Sequence, residues 1–238
     1  MQAVCDASRA ISITEVAQSC ALPVPTVHRI VAQLEQRMLL KRAAGSRKLL
    51  VGSALVRLGA AAMRASVQSD RVHDLLVALA NELGEHCQLG TRLDNEVVYS
   101  DTVRAARSAG LHFEQGRRAP LYCSSIGKLF LADMTPQELG GWLKTHPREA
   151  HTSRTLVSDR ALRAAVKTVR DSGWAMSNEE MALGVIGCAV PVRLSDGRLI
   201  GGLGISVPSP RMSFDALPTF RSAMERTAAA IASAIEST

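Results

Sequence analysis

The run Ser12-Ile13-Thr14-Glu15-Val16-Ala17-Gln18-Ser19-Cys20-Ala21-Leu22-Pro23-Val24-Pro25-Thr26-Val27-His28-Arg29-Ile30-Val31-Ala32-Gln33-Leu34-Glu35-Gln36 holds two helix starts in close succession. Ser12 with Glu15 three residues later is a capping box, so a helix is expected from there to about Ser19. Cys20, Ala21 and Leu22 form the turn, and Pro23 and Pro25 mark a second start, because a first-turn residue has no intrahelical use for the N–H that proline lacks. In the second helix Val27, Ile30, Val31 and Leu34 fall at i, i+3, i+4 and i+7 and predict one buried stripe, opposite a face of Thr26, His28, Arg29, Gln33 and Gln36. Two short helices joined by a tight turn, the second with a polar and cationic outer face, form a helix-turn-helix whose second helix enters the major groove.

The segment after this helix completes a module. Met38, Leu39 and Leu40 lead into Lys41 and Arg42, a small turn covers Ala43 to Ser46, and Arg47, Lys48, Leu49, Leu50 and Val51 return. This predicts a hairpin around Gly45 with cations on both arms, a wing able to touch phosphates or the minor groove. Charge agrees with that placement. Residues 1–57 carry eight Lys and Arg against three acids, so nearly all of the chain's formal +6 lies in its first quarter. A basic excess confined to one small segment suits a polyanion, since cations displace counterions condensed on phosphates.

The rest of the composition narrows the class. A length of 238 residues suffices for a small and a medium domain, each with its own core. No run approaches the roughly eighteen apolar residues of a membrane span, and Asp6 and Arg9 interrupt the start where a signal peptide needs an apolar segment, so the expected location is the cytoplasm. Cys5, Cys20, Cys87, Cys123 and Cys188 are scattered without a Cys-x-x-Cys pair, and read as reduced, mostly core thiols. His146 and His151 miss one-turn spacing, so no metal or other cofactor is expected.

From Ser53 to about Ala65 the sequence is rich in Ala and Leu and predicts a helix that buries both sides. Beyond it, helices are expected at Val72 to Leu83, Ser124 to Ala132, Pro136 to Leu143, Ser158 to Ser172 and Phe214 to Ile235. Strands are expected at His86 to Leu93, Val97 to Val103, Trp174 to Asn178, Val185 to Val192 and Leu199 to Val207, with turns at Asp94-Asn95-Glu96 and Ser195-Asp196-Gly197-Arg198. The fold class is α+β: a winged helix-turn-helix, a linker helix and a mostly antiparallel sheet with flanking helices. The expected domains are 1–52, a linker at 53–70, and 71–238.

Enzyme motifs fail on inspection. Gly127-Lys128 is followed by Leu129 and preceded by Tyr122 where a P-loop needs Ser/Thr and glycine. Gly202 and Gly204 lack a third glycine, and no Gly-x-Ser-x-Gly elbow is present. Glu179 and Glu180 are adjacent, so on a strand they would point to opposite faces. Cys123 with His112 lacks the spacing of a nucleophile pair. The alternative to a regulator is a small-molecule-metabolising enzyme; the chain is expected not to be one.

The residues Ser12 to Ala17, Leu22-Pro23, Thr26 to Ile30 and Leu34-Glu35 together resemble the winged-helix segment of IclR-type transcriptional regulators. So do Tyr122 to Lys128, Ser177 to Glu180 with Gly184-Val185 and Ala189 to Val192, and Gly201 to Ser206, which are similar to that family's GAF-like effector domain. The resemblance implies a DNA-binding regulator tuned by a small organic-acid-type effector, acting as a homodimer or homotetramer whose linker helix packs in the dimer interface. It implies a helix before the capping box, of which Met1 to Ala7 is the remainder, so either a start upstream or a shortened helix is expected. Val24-Pro25 stands where the family commonly has Lys-Ser, which removes a phosphate contact at the helix start. The DNA-facing set is then Pro25, Thr26, His28, Arg29, Gln33, Arg42, Arg47 and Lys48. Effector positions carried over are Ser125, Ile126, Ser177 (often Asp in the family), Val185, Gly187, Gly204 and Ser206. Gly187 and Gly204 replace polar positions, implying a wider, less polar pocket for an aromatic or branched acid, its carboxylate held by the amides of Ser125 to Gly127.

Overall fold

The helix start at Ser12 forms as its spacing predicts. In a computed structural model of the protein, which describes residues 1–7, 9–43, 45–59, 70–105 and 114–237, Ser12 Oγ accepts the Glu15 N–H at 3.2 Å and the Glu15 carboxylate accepts the Ser12 N–H at 2.7 Å. The Ser12 amide, then Arg9, holds the Glu15 carboxyl down at about 2. Two units make up the chain, Met1–Met63 and Arg64–Thr238.

In the first unit a short α1 (Gln2–Cys5) precedes α2 (Ile13–Cys20) and α3 (Val24–Gln36). Ala21 takes the left-handed conformation (φ 51°) that ends α2, and Pro23 is the N-cap of α3. Strands β1 (Leu40–Arg42) and β2 (Leu49–Val51) pair antiparallel, with Leu40 opposite Val51. The core is Val4, Ile11, Ile13, Val16, Ala17, Val27, Val31, Leu40 and Leu49, with Leu34 packed against it. Ile30, expected in the buried stripe, is instead 39% exposed. A small three-helix core covers a narrower arc of α3 than a full apolar face, and Val27, Val31 and Leu34 fill it. Residues 53–59 are helical (α4), while Val56 and Leu58 are 41% and 59% exposed in the single chain. The remainder of the expected linker helix lies outside the described residues.

The second unit holds a six-stranded sheet in the order β5-β4-β3-β8-β7-β6, antiparallel at every pairing. Its strands are β3 (His86–Leu93), β4 (Glu96–Val103), β5 (Arg118–Pro120), β6 (Ala175–Asn178), β7 (Val185–Arg193) and β8 (Leu199–Pro208). Alternation decides what each face receives. Cys87, Leu89, Ile186, Cys188, Val190, Leu203, Ile205 and Val207 meet α5 (Asp70–Leu83) and α9 (Arg221–Glu236) in one core. The opposite face carries small residues on the central strands, and α6 (Ser125–Asp133) lies against them: an added Cβ would stand 3.2 Å from Ile126 at Gly90, 2.8 Å at Gly202 and 2.9 Å at Gly204. Helices α7 (Pro136–Thr145) and α8 (Asp159–Ser172) complete that side, with Leu139, Trp142, Leu162 and Val166 in its core. Gly173 ends α8 at φ 78°.

Two details depart from expectation. The helix expected from Phe214 begins as a 3-10 segment, Phe214–Phe220, and becomes α-helical only at Arg221, because Pro218 lacks an N–H and its ring crowds the preceding turn. Strand β5 is short, and no alternation marked it in the sequence.

Candidate functional sites

In the first unit α3 presents Pro25, His28, Arg29 and Gln33 to solvent, with Thr26 half-buried. A helix of thirteen residues spans about 20 Å and fits a groove about 12 Å wide. Arg47 and Lys48 are exposed on the wing, beside a turn held by the Lys48 N–H on Ser46 Oγ at 3.1 Å and by Gly45 at φ 68°. Arg42 is placed differently. Its guanidinium makes a two-pronged contact with Glu35 (Nε to Oε1 2.7 Å, Nη2 to Oε2 3.1 Å) and donates through Nη1 to the Arg47 carbonyl at 2.6 Å. It therefore braces the wing against α3 with its charge already matched, a pairing that the spacing of Glu35 and Arg42 along the chain does not signal.

In the second unit a recess opens where the start of α6 meets β6, β7 and β8. It holds about 440 Å³ of empty space, counting its open mouth. Of the positions carried over from the family, Ser125, Ser177, Val185, Gly187 and Ser206 line it. Ile126 and Gly204 do not: Ile126 is 1% exposed, and its side chain fills the space that the missing Gly204 side chain leaves. The glycine thus admits the helix instead of widening the pocket. Gly187 does face the recess, and its Cβ position lies 2.8 Å from the Ile205 carbonyl of the neighbouring strand.

Polar groups converge on the recess from several elements. Ser124 caps α6, accepting the Gly127 N–H at 3.1 Å while donating to the Pro120 carbonyl at 3.0 Å. Gly127's amide is therefore already engaged, and of the first-turn residues of α6 it is Ser125 that lines the recess. Ser177 Oγ donates to the Cys123 carbonyl at 3.2 Å, and Gln88 Nε2 to Ser206 Oγ at 2.8 Å. Gln88, Tyr99 and Arg117 also line the recess, and sequence reading missed all three. Arg117 is the sole charged side chain among the described lining residues. The hydrogen bonds Tyr99 N–H to Arg117 O (3.0 Å) and Gly116 N–H to Tyr99 O (2.8 Å) hold it there. Burial pushes the Tyr99 phenol up to about 12, against the pull of Arg117. A cation and a helix start, with no carboxylate among the described lining residues, make the recess suited to an anion.

The residues considered for catalysis have other duties. Burial first, and then Glu180, push the Cys123 thiol up to about 12, so it is not a thiolate nucleophile; His112 lies outside the described residues. Glu179 and Glu180 sit in the turn after β6 and not on a strand, Glu179 at φ 54°. They still point apart: Glu179 accepts from Ser209 Oγ at 2.6 Å, and Glu180 forms a buried ion pair with Lys128. Cys87, Cys123 and Cys188 are buried, whereas Cys5 and Cys20 are exposed. Among the described residues no group of His, Cys, Asp and Glu is placed to hold a metal, and no helix is long and apolar enough to cross a membrane. In a larger and shallower hollow beside Trp142 and Tyr122, Trp142 Nε1 donates to Asn95 Oδ1 at 3.0 Å and the Tyr122 hydroxyl pairs with His151 Nε2 at 3.1 Å.

Comparison with known proteins places this geometry. The profile described as the IclR helix-turn-helix domain matches residues 1–44, and that described as bacterial transcriptional regulator IclR C-terminal matches residues 59–233. The chain is 31% identical to the probable transcriptional regulator SauR of Cupriavidus necator over 88% of its own length and 83% of SauR. It is 32% identical to the HTH-type transcriptional regulator KdgR of Escherichia coli over 93% of its length and 84% of KdgR. Among solved structures, an IclR homolog from Microbacterium hydrocarbonoxydans, complexed with 4-hydroxybenzoate, shares the fold with a TM-score of 0.64 at 22% identity, covering 96% of this chain and 92% of that one.

Proposed function

Because the chain belongs to the IclR family of bacterial transcriptional regulators, we propose that α3 and the wing bind promoter DNA and that a small organic acid in the α6 recess changes that binding. The observation that carries the reading is the recess itself, where Arg117 and the start of α6 at Ser124 and Ser125 converge with no carboxylate among the described lining residues. In this reading Arg117 and the amide of Ser125 hold the carboxylate, while Val185, Gly187 and Met181 meet its apolar body. The recess, open at its mouth and about 440 Å³ in empty volume, has room for an aromatic or branched acid. The fold-related Microbacterium protein bound to 4-hydroxybenzoate supports an acid of that size.

Residues 1–52 are proposed to read DNA, 53–70 to link, and 71–238 to sense. Arg29, His28, Thr26 and Gln33 meet base edges, Arg47 and Lys48 meet phosphates, and the protein works in the cytoplasm without a cofactor or catalytic turnover. One recognition helix covers too few base pairs for specificity, so heads are paired in a homodimer or homotetramer, spaced by about one helical turn of DNA or a multiple. Exposed Val56 and Leu58 on α4 offer apolar surface for such pairing.

The test is thermal stability and DNA release across a panel of organic acids, with the wild type and Ser125→Phe. An acid that stabilises the wild type and releases DNA, with both effects lost in the variant, supports the reading. An acid that acts equally on both puts the pocket elsewhere, and sedimentation as a monomer with and without DNA removes the pairing.

A further inference from the structure

Pro25, Arg29, Ala32 and Gln36 fall at i, i+4, i+7 and i+11, so they share one face of α3, and all are exposed. That face lies opposite Val27 and Val31, which are 3% and 2% exposed in the core. The most outward line of the helix therefore runs carbon, guanidinium, carbon, amide. Arg29 has no ion pair among the described residues, unlike Arg42 with Glu35 and Arg9 with Glu15.

The helix start is poor in donors. Pro23 caps it with no side-chain bond, Pro25 has no N–H, and the amides of Thr26 and Val27 both donate to the Pro23 carbonyl, at 3.0 and 3.1 Å. Of the first turn, only the Val24 amide is left for a phosphate, and the Val24 side chain is itself 40% exposed. A first turn with little to offer an anion meets the groove mainly through carbon. The carbon that the major groove presents is the thymine C5 methyl, a preferred contact of small apolar side chains.

We propose that this chain selects its operator through thymine methyl groups packed against Pro25 and Ala32, with Arg29 between them on guanine O6 and N7. The seven-residue step from Pro25 to Ala32 rises about 10 Å, so the two thymines stand about three base pairs apart. The inference rests on the DNA-binding reading above and specifies which base-pair edges it uses.

The probe is a pool of randomised duplexes from which the full-length protein selects its sites. The selected duplex is then resynthesised with uracil for thymine, one position at a time, which removes the methyl and leaves every hydrogen-bonding group. At two positions per half-site affinity is expected to fall about fourfold for each methyl removed. Pro25→Ser with Ala32→Ser should bind the thymine and uracil duplexes equally, at the wild-type affinity for uracil DNA. Specific binding that is blind to every methyl, or discrimination that survives in the double variant, overturns this inference alone. Failure to retain any duplex from the pool overturns the DNA-binding reading and this inference with it.

Discussion

Replacing Lys128 with Met isolates the contact that ties the wall of the recess to α6. Lys128 and Glu180 are 2% and 6% exposed, and Lys128 Nζ also donates to the Met176 carbonyl at 2.9 Å. Burial pulls the Lys128 ammonium below its ordinary range, with Glu180 opposing the shift. The Glu180 carboxylate has little else: Oε1 accepts the Asn178 N–H at 3.3 Å, and Oε2 has no partner among the described residues. Lys128→Met therefore strands a buried carboxylate and a buried carbonyl, an expected loss of about 3 to 5 kcal/mol. Replacing both members, as Lys128→Met with Glu180→Leu, removes the stranded charge along with its partner and should recover most of the loss, the Met176 carbonyl being the group still unpaired. Glu180→Leu alone strands the ammonium at a similar cost, so the two single losses together exceed that of the double variant by at least about 3 kcal/mol, which is the coupling across the cycle. Urea unfolding followed by tryptophan fluorescence reads it cleanly, because both tryptophans of the sequence, Trp142 and Trp174, lie in the second unit. A single substitution costing less than about 1 kcal/mol, or a double variant as unstable as the two losses together, would refute the reasoning.

Gly127→Ala should destabilise the second unit by about 3 kcal/mol, since its Cβ would lie 2.3 Å from the Leu121 carbonyl oxygen and 2.4 Å from Leu121 Cα, backbone that cannot swing aside. Gly141→Ala, in α7 with nothing within 4 Å, should instead stabilise by about 0.5 to 1 kcal/mol; similar denaturation midpoints for the two variants would contradict both. Burial, then Arg104, holds the His86 imidazole down at about 4 from an ordinary 6.5, so the unfolded chain binds the proton more tightly. The resulting stability is complete above about pH 6.5 and is lost as pH falls toward 4, up to about 3 kcal/mol, and His86→Gln should flatten that limb of a melting-temperature profile. An unchanged acid limb would remove His86 as its cause. Arg47→Ala and Lys48→Ala should each lower the slope of log affinity against log salt by roughly one per lost phosphate contact on any DNA, whereas Arg29→Ala should lose about 1 to 3 kcal/mol on the selected site only. Uniform losses from all three would show that base reading and phosphate contact are not divided as described.

Much of this protein is legible in its sequence, for local reasons. The capping box of Ser12 and Glu15, the Pro23 start, the Gly173 stop and the period-two strands depend on neighbours within a turn or on side-chain alternation, which the sequence displays directly. Resemblance to a family then named a set of recess residues, and Ser125, Ser177, Val185, Gly187 and Ser206 do converge from α6, β6, β7 and β8.

What the tertiary structure alone decided concerns pairs far apart in the chain. Strand register sets Gly90 against Gly202 and Gln88 against Gly204, and so determines that α6 settles with Ile126 over these glycines. Lys128 finds Glu180, Arg42 finds Glu35, and Arg117 reaches the recess through the backbone of Tyr99. No residue in those segments announces its partner, because periodicity reports which face a side chain takes and not what the opposite element places there. The caps and the longer helices and strands were thus properties of the chain, while the charge and donors of the recess arose from how distant strands aligned.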